Sequence, residues 1–471
     1  MEKLITSLES EDLDYDSVVD LYKKYVNSTY VSLLSSFPFG RELVESAEGP
    51  YLNMKNGEKV LDMTGGIGVL SHGHNHKRII DARIRFQNKN KMEVHKAFLS
   101  QYVAALSHNL SMMLPNDLNI SYFSNSGAEA NEGAIKMAYK FHDGSRKTIL
   151  HSDISFHGKT LGTASVTASK EVNYKFPSIS NTDSFDYNSI DSLDEAIQKN
   201  TIGGKCDIYA IIVEPFSAST LKECSEEFLL YLRNKCDELD IILIFDEVYS
   251  GYFKTGGFFN FMRVKNLSPD ILTMAKSFGG GKSSISGFTS TDRVFDKSYN
   301  SPNYANLHSS TYYGFGEECY TAIEALNIAV DEKYAEKAEL YDEVYKTKLQ
   351  ELIDKYPDIL TSYSGSGTYF GLFFKKKFST LESIAKLLPL EIAKTENLML
   401  KIIVGSVVAE VYEKHNILLF VGLIDDCPLK ISSSFAHDES LIVKSIDAID
   451  DVLSSGILTL VTKFVVNKFT S

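Results

Sequence analysis

Between residues 207 and 248 the chain reads DIYAIIVEPF, then SEEFLLYLRNKCDELD (225–240), then IILIFDEV. The outer two stretches are continuous apolar runs without in/out alternation, so each strand they form must be covered on both faces. The middle stretch sets Phe228, Leu232, Cys236 and Leu239 on one helical face. Strand, helix and strand with two-sided burial is a parallel βαβ unit, and a chain that holds one is committed to an α/β layer. The first run ends on Glu214, the second on Asp246, and a shorter run, PDILTMAK, ends on Lys276. Open parallel sheets bind ligands at the carboxyl ends of their strands. Glu214, Asp246 and Lys276 are therefore expected to face one crevice.

The same alternation of short apolar runs with amphipathic helices extends over about 61–325, which predicts a large domain on a mostly parallel sheet. Residues 1–60 hold helical and turn-like segments ending in a hairpin, YLNMKNGEKVLDM, around Asn56-Gly57. Helices dominate 326–471, interrupted by the strand-like runs GTYFGLFF (367–374) and NILLFVGL (416–423). Both chain ends lie outside the central unit and are expected to form a smaller α+β domain together. A chain of 471 residues is long enough for both cores.

Charge narrows the partners. With 48 basic and 62 acidic residues the net charge is −14, which argues against nucleic acid or an anionic membrane as a partner. The apolar stretch Ile402–Ile424 is broken by Glu410, Glu413, Lys414 and His415, and Gly456–Val466 is too short to span a bilayer. The N-terminus, MEKLITSLESEDLD, lacks the apolar centre of a signal peptide. Five cysteines without a CxxC pair read as free thiols, so a cytoplasmic location is expected.

Lys276 begins the stretch KSFGGGKSS. Gly281-Lys282-Ser283 matches the end of a nucleotide-binding GxxxxGK[ST] loop, but Lys276 occupies the place of its first glycine, and that reading fails. A lysine at a strand end beside buried carboxylates suits a Schiff base; the alternative is an ordinary surface lysine. A buried Asp246 needs a cationic partner, either a protonated pyridine nitrogen or a salt bridge within the fold. In ISYFSNSGAEANEGAIKMAYKF (120–141) a strand leads into a helix through Ser126-x-x-Glu129, a capping box. The amides of Gly127 and Ala128 at that helix start can face an anion, unless this is simply a capped helix. His72, His74 and His76 in SHGHNH alternate with the spacing of zinc ligands on one face of a strand, yet the expectation is no metal.

NSGAEANEGAIKMA, FHGKTLG, VEPF, FDEVYSG, PDILTMAKSFGGG and HSSTYYG follow in this order across roughly residues 37–450. With them the chain resembles the class III aminotransferases, pyridoxal-phosphate enzymes of fold type I. The resemblance implies that Lys276 carries the cofactor and that Asp246 pairs with its pyridinium nitrogen. It implies that Val248 and Phe156 cover the two ring faces, with His157 beside Phe156. Ser126, Gly127 and Ala128 are expected to hold the phosphate. Glu214, at the end of its apolar run, is expected to be catalytic together with Lys276 and Asp246. Thr311 matches a threonine that reaches the neighbouring subunit's phosphate, implying a homodimer. Lys282 is expected in a solvated loop.

Three departures stand out. Tyr249 replaces the family's usual glutamine near the phenolic oxygen. Phe216 to Leu221 replaces the I-Q-G-E-G-G segment. The arginine of the R-I-x-P-P-L segment falls on Lys430, and its glutamate partner on Ser219. Residues 375–401 read as an inserted helix with a basic start. The function expected is amino transfer between an amine donor, in particular a terminal amine, and an oxo acceptor by a ping-pong mechanism. The alternatives are an aminomutase, epimerase or decarboxylase of the same family, or a non-catalytic dimer that binds a partner.

Overall fold

The computed structural model of the chain describes residues 4–115, 117–168, 176–179, 181–376, 397–422 and 426–470. Most of the 375–401 insertion lies outside the described residues; only its end is seen, as the start of the helix Leu398–His415.

Seven strands form the central sheet: β1 (Leu118–Ser124), β2 (Thr148–Ser152), β3 (Thr182–Phe185), β4 (Ile208–Val213), β5 (Ile242–Asp246), β6 (Ile271–Met274) and β7 (Ser286–Thr291). Their spatial order is β1-β7-β6-β5-β4-β2-β3. All neighbours are parallel except β7, which runs antiparallel to both β6 and β1. Because β7 alone is reversed, β1 points the same way as β4, β5 and β6. Its carboxyl end, and the helix that follows, therefore reach the same edge as Glu214, Asp246 and Lys276.

Every residue of β4 and β5 is buried. Leu243 and Phe245 face a core that includes Leu229, Leu232 and Cys236 of the crossover helix α2 (Glu226–Leu239). Ile242 and Ile244 face the opposite core, with Ala134, Met137 and Phe141 of helix α1 (Gly127–Phe141). This two-sided packing is why the runs are continuously apolar. Helix α2 starts where Ser225 Oγ accepts the Phe228 N–H, and it carries Glu226 and Glu227 in its first turn, a favourable placement against the helix dipole. It ends at Asp240, in the left-handed region at φ 51°.

The two chain ends share one sheet. The strands Val44–Glu48, Tyr51–Met54 and Lys59–Asp62 form a meander, and Ile417–Leu418 adds to it in parallel beside Lys59–Asp62. A second sheet holds Leu360–Ser366, Tyr369–Phe374, Leu429–Ser432 and Phe420–Val421. The run 416–423 is therefore not one strand: it serves two sheets in turn, with the fully buried Leu419 between them. Among the described residues, no helix is long and apolar enough to cross a membrane.

Candidate active site

A cavity of about 420 Å³ opens at the carboxyl ends of β4, β5 and β6. Glu214, Asp246 and Lys276 all line it, as do Ser126, Gly127, Ala128, Phe156, His157, Val248 and Tyr249. Thr311 does not line this cavity; it lies in an exposed turn of its own chain.

Lys276 follows β6 after Ala275, with its backbone in the left-handed region at φ 53°. That conformation costs a non-glycine residue about 1–3 kcal/mol and persists where the surroundings impose it. The turn then continues through Gly280 at φ 61°, where an added Cβ would come within 2.6 Å of Ile79 Cδ1. Lys276 Nζ sits 4.2 Å from the centroid of the Tyr249 ring. Burial pushes its ammonium down to about 8, with the Glu214 and Asp246 charges working the other way.

Asp246, 4% exposed, is gripped tightly. Its Oδ2 accepts from Asn131 Nδ2 and from His157 Nδ1, each at 2.7 Å, so the histidine's proton is on Nδ1. Its Oδ1 accepts the Val248 N–H at 3.0 Å. Asn131 Nδ2 also donates to the His157 carbonyl, and Asn131 Oδ1 accepts from the Thr273 hydroxyl. Asn131 went unnoticed in the sequence. The signal was present: a polar amide on the core-facing stripe of α1, one turn after Gly127, where an asparagine is disfavoured unless its side chain is bonded.

Glu214 Oε1 accepts the Phe156 N–H at 3.0 Å and Oε2 the Ala218 N–H at 3.3 Å. Burial first, and then the nearby Asp246 charge, push this carboxyl up to about 7. Near neutrality it is therefore partly protonated.

At the start of α1 both halves of the capping box are formed. Ser126 Oγ accepts the Glu129 N–H, and Glu129 Oε2 accepts the Ser126 N–H at 2.8 Å and the Asn125 N–H at 3.0 Å. First-turn amides have no partner within a helix, so those of Gly127 and Ala128 remain available at the cavity wall. Gly127 lies so close to Val248 that a Cβ there would stand 2.8 Å from Val248 Cγ1. Val248 and the helix start thus form one tight edge, with Phe156, 38% exposed, on another part of the wall.

Lys254 and Lys430 stand behind residues that line this cavity, Lys254 Nζ 5.4 Å from the Tyr249 ring centroid and Lys430 bonded to Ala218. Lys254 Nζ, buried, donates to the Gly68 carbonyl at 3.2 Å and to Ser277 Oγ at 3.0 Å. Lys430 Nζ donates to the carbonyls of Ala218 and Ser219. Lys282 is exposed. The three histidines of SHGHNH have separate protein partners: His72 bonds the Ala325 carbonyl, His74 bonds Asp62 and His76 bonds Glu332.

The comparisons agree with this architecture. A family profile described as aminotransferase class-III matches residues 39–400. The ornithine aminotransferase from Toxoplasma gondii superposes with a TM-score of 0.78 at 21% identity, covering 96% of this chain and 99% of that one. A transaminase from the marine bacterium Virgibacillus gives 0.79 at 18% identity, covering 95% and 99%. The acetylornithine aminotransferase from Elizabethkingia anophelis gives 0.72 at 20%, covering 94% and 99%. The chain belongs to the class-III aminotransferases, pyridoxal-phosphate-dependent transaminases of fold type I.

Proposed function

We propose that the chain is a ping-pong transaminase that takes an amino group from a donor, favouring a terminal amine, and delivers it to an oxo acceptor. The observation that carries the proposal is the meeting of the Lys276 amine, the Asp246 carboxylate and the start of α1 on one cavity of about 420 Å³.

The residues present fit pyridoxal phosphate. Asp246 is a buried carboxylate whose Oδ1 has only the Val248 N–H at ordinary hydrogen-bond length, which leaves it able to accept from a pyridinium N–H. The available amides of Gly127 and Ala128, with Ser126, suit a phosphate at a helix start. Val248, Phe156 and Lys276 line the same cavity, which supports the reading that the first two cover the ring. Bound there, the cofactor supplies an aldehyde for condensation with amines and a ring that draws electron density from the substrate carbon.

The chain's own groups then divide the work. Lys276 holds the cofactor between turnovers. With its ammonium at about 8, roughly one amine in ten is unprotonated at pH 7. Once released, Lys276 Nζ removes a proton from the amine-bearing carbon and returns it, as general base and then acid. Asp246 keeps the ring nitrogen protonated, and Asn131 and His157 hold Asp246 in orientation. Glu214 ties the Phe156 and Ala218 amides together beside Lys276. In a homodimer, Thr311 of each chain reaches the other's phosphate; its exposure on its own chain is compatible with that role. The proposal includes a cytoplasmic location, in which the five free cysteines stay reduced.

Lys276→Ala tests the assignment. The visible absorbance of lysine-bound cofactor and all turnover should disappear while the assembly state is unchanged. Normal turnover in this variant overturns it. Donor alone should leave the wild-type cofactor lastingly in its amine form; no net conversion refutes transamination in favour of the aminomutase, epimerase or decarboxylase alternative.

A further inference from the structure

The Phe216–Leu221 segment, which departs from the family's pattern, is fastened from several sides. Ala218 lines the cavity. Its N–H donates to Glu214 Oε2 at 3.3 Å, and its carbonyl accepts from Lys430 Nζ at 2.9 Å and from the Tyr369 hydroxyl at 3.3 Å. Lys430 Nζ also donates to the Ser219 carbonyl at 3.0 Å. Within the segment, the Ser217 N–H donates to the Lys222 carbonyl and the Leu221 N–H to the Ser217 carbonyl. Leu221, in the left-handed region at φ 63°, is buried with Phe216, Tyr249 and Tyr369.

Lys430 comes from far away in the chain, on the strand Leu429–Ser432, and is 5% exposed. Its ammonium lies 5.5 Å from the centroid of Tyr369 and 5.8 Å from that of Phe420. The two rings are nearly parallel, at 10°. Two carbonyls and two aromatic faces together satisfy a buried cation. Burial pushes Lys430 down to about 7, the Lys276 charge adding to the effect and Glu214 opposing it. Two of the three Nζ–H donors are held by these carbonyls and Lys430 does not line the cavity, so a substrate carboxylate would have to pull Nζ away from them. It would leave the Ala218 and Ser219 carbonyls short of a donor, which is costly in a buried wall. Lys159 also lines the cavity but is exposed, so its charge is screened by water.

We infer that Lys430 is a specificity-determining strap: it fixes Ala218 and Ser219 as a wall of the pocket and is withheld from substrate carboxylates, favouring donors whose reacting carbon bears none. The inference rests on the transaminase reading and names the substrate class that reading leaves open. Specificity here comes from the charge the pocket withholds as well as the contacts it makes.

The test compares wild type with Lys430→Met, which keeps the side chain as far as Cε and removes its donors. Amide hydrogen exchange over residues 216–222 is measured on the full-length protein without cofactor or donor. Exchange at Ser217 and Leu221 should quicken about tenfold or more in the variant, and unchanged exchange overturns the strap. Half-reactions with putrescine, 4-aminobutyrate, L-alanine and L-glutamate are then followed by cofactor absorbance. In wild type, putrescine should exceed both α-amino acids at least tenfold in kcat/KM. In the variant that ratio should shrink, because the loosened wall slows putrescine. A wild-type preference for L-alanine or L-glutamate overturns the inference. So does a tenfold loss confined to the α-amino acids in Lys430→Met, since that marks a carboxylate receptor. If the methionine variant does not fold, Lys430→Arg keeps donors for both carbonyls. Wild-type exchange and preference are expected of it, and a tenfold gain toward L-glutamate overturns the strap. Should no donor convert the wild-type cofactor, the transaminase reading has failed. The exchange measurement then still decides whether Lys430 fastens the segment.

Discussion

Gly127→Ala isolates the tight edge where the proposed phosphate and ring sites meet. Intrinsic helix preference favours alanine over glycine by up to about 1 kcal/mol, so local propensity alone predicts a neutral or slightly stabilising change. The structure opposes this. The new Cβ would stand 2.8 Å from Val248 Cγ1, 3.1 Å from Cγ2 and 3.5 Å from Ala275 Cβ. Carbon atoms pack at about 3.5–4.0 Å, so Val248 or the first turn of α1 must withdraw by several tenths of an ångström or more. Overpacking of this kind costs about 1–3 kcal/mol. The groups displaced are the amides proposed for the phosphate and the side chain proposed for the ring, so the cost should fall on cofactor affinity. One to three kcal/mol is about 5- to 150-fold in Kd. The assay is a titration of apoprotein with pyridoxal phosphate, read by absorbance, beside a thermal melt of the same apoprotein. An affinity within twofold of wild type at an unchanged Tm refutes the reasoning, because the alanine would then have been accommodated without moving either site.

Other predictions address the neighbouring groups. Asp246→Asn removes the charge proposed to hold the ring nitrogen protonated and should lower turnover by at least about 10²–10³-fold, the scale of losing a preorganised electrostatic partner; near wild-type rates with the cofactor bound refute that role. The rate of cofactor loading should rise with pH through about 8, because Lys276, the residue proposed to take the cofactor, would react as the free amine and its ammonium is depressed to about 8. Glu214, Asp246, Lys254 and Lys430 all act on that amine's surroundings, and a loading midpoint near 10.5 shows that burial does not set its ionisation. Leu232→Ala, at a fully buried position of α2, should cost about 2–5 kcal/mol, read as a lower urea midpoint. A loss below about 0.5 kcal/mol contradicts the two-sided packing of the sheet.

Much of this architecture was legible in order. Two-sided burial writes itself into a chain as continuous apolar runs, so β4, α2 and β5 could be drawn from DIYAIIV, FLLYLRNKC and IILIF. Strand ends follow from where those runs stop, which puts Glu214, Asp246 and Lys276 at one edge. The capping box at Ser126 was readable because it is local, with donor and acceptor three residues apart. What the order of residues could not decide was which distant side chains complete each site. Asn131 and His157 reach Asp246 across 115 and 89 residues, and Lys430 reaches Ala218 across 212. The run 416–423 looks like one strand because its hydrophobicity is continuous, yet tertiary packing assigns its two halves to different sheets. Periodicity reports which face of an element is buried. The partner met on that face is chosen by how the elements stack, and only the folded chain holds that information.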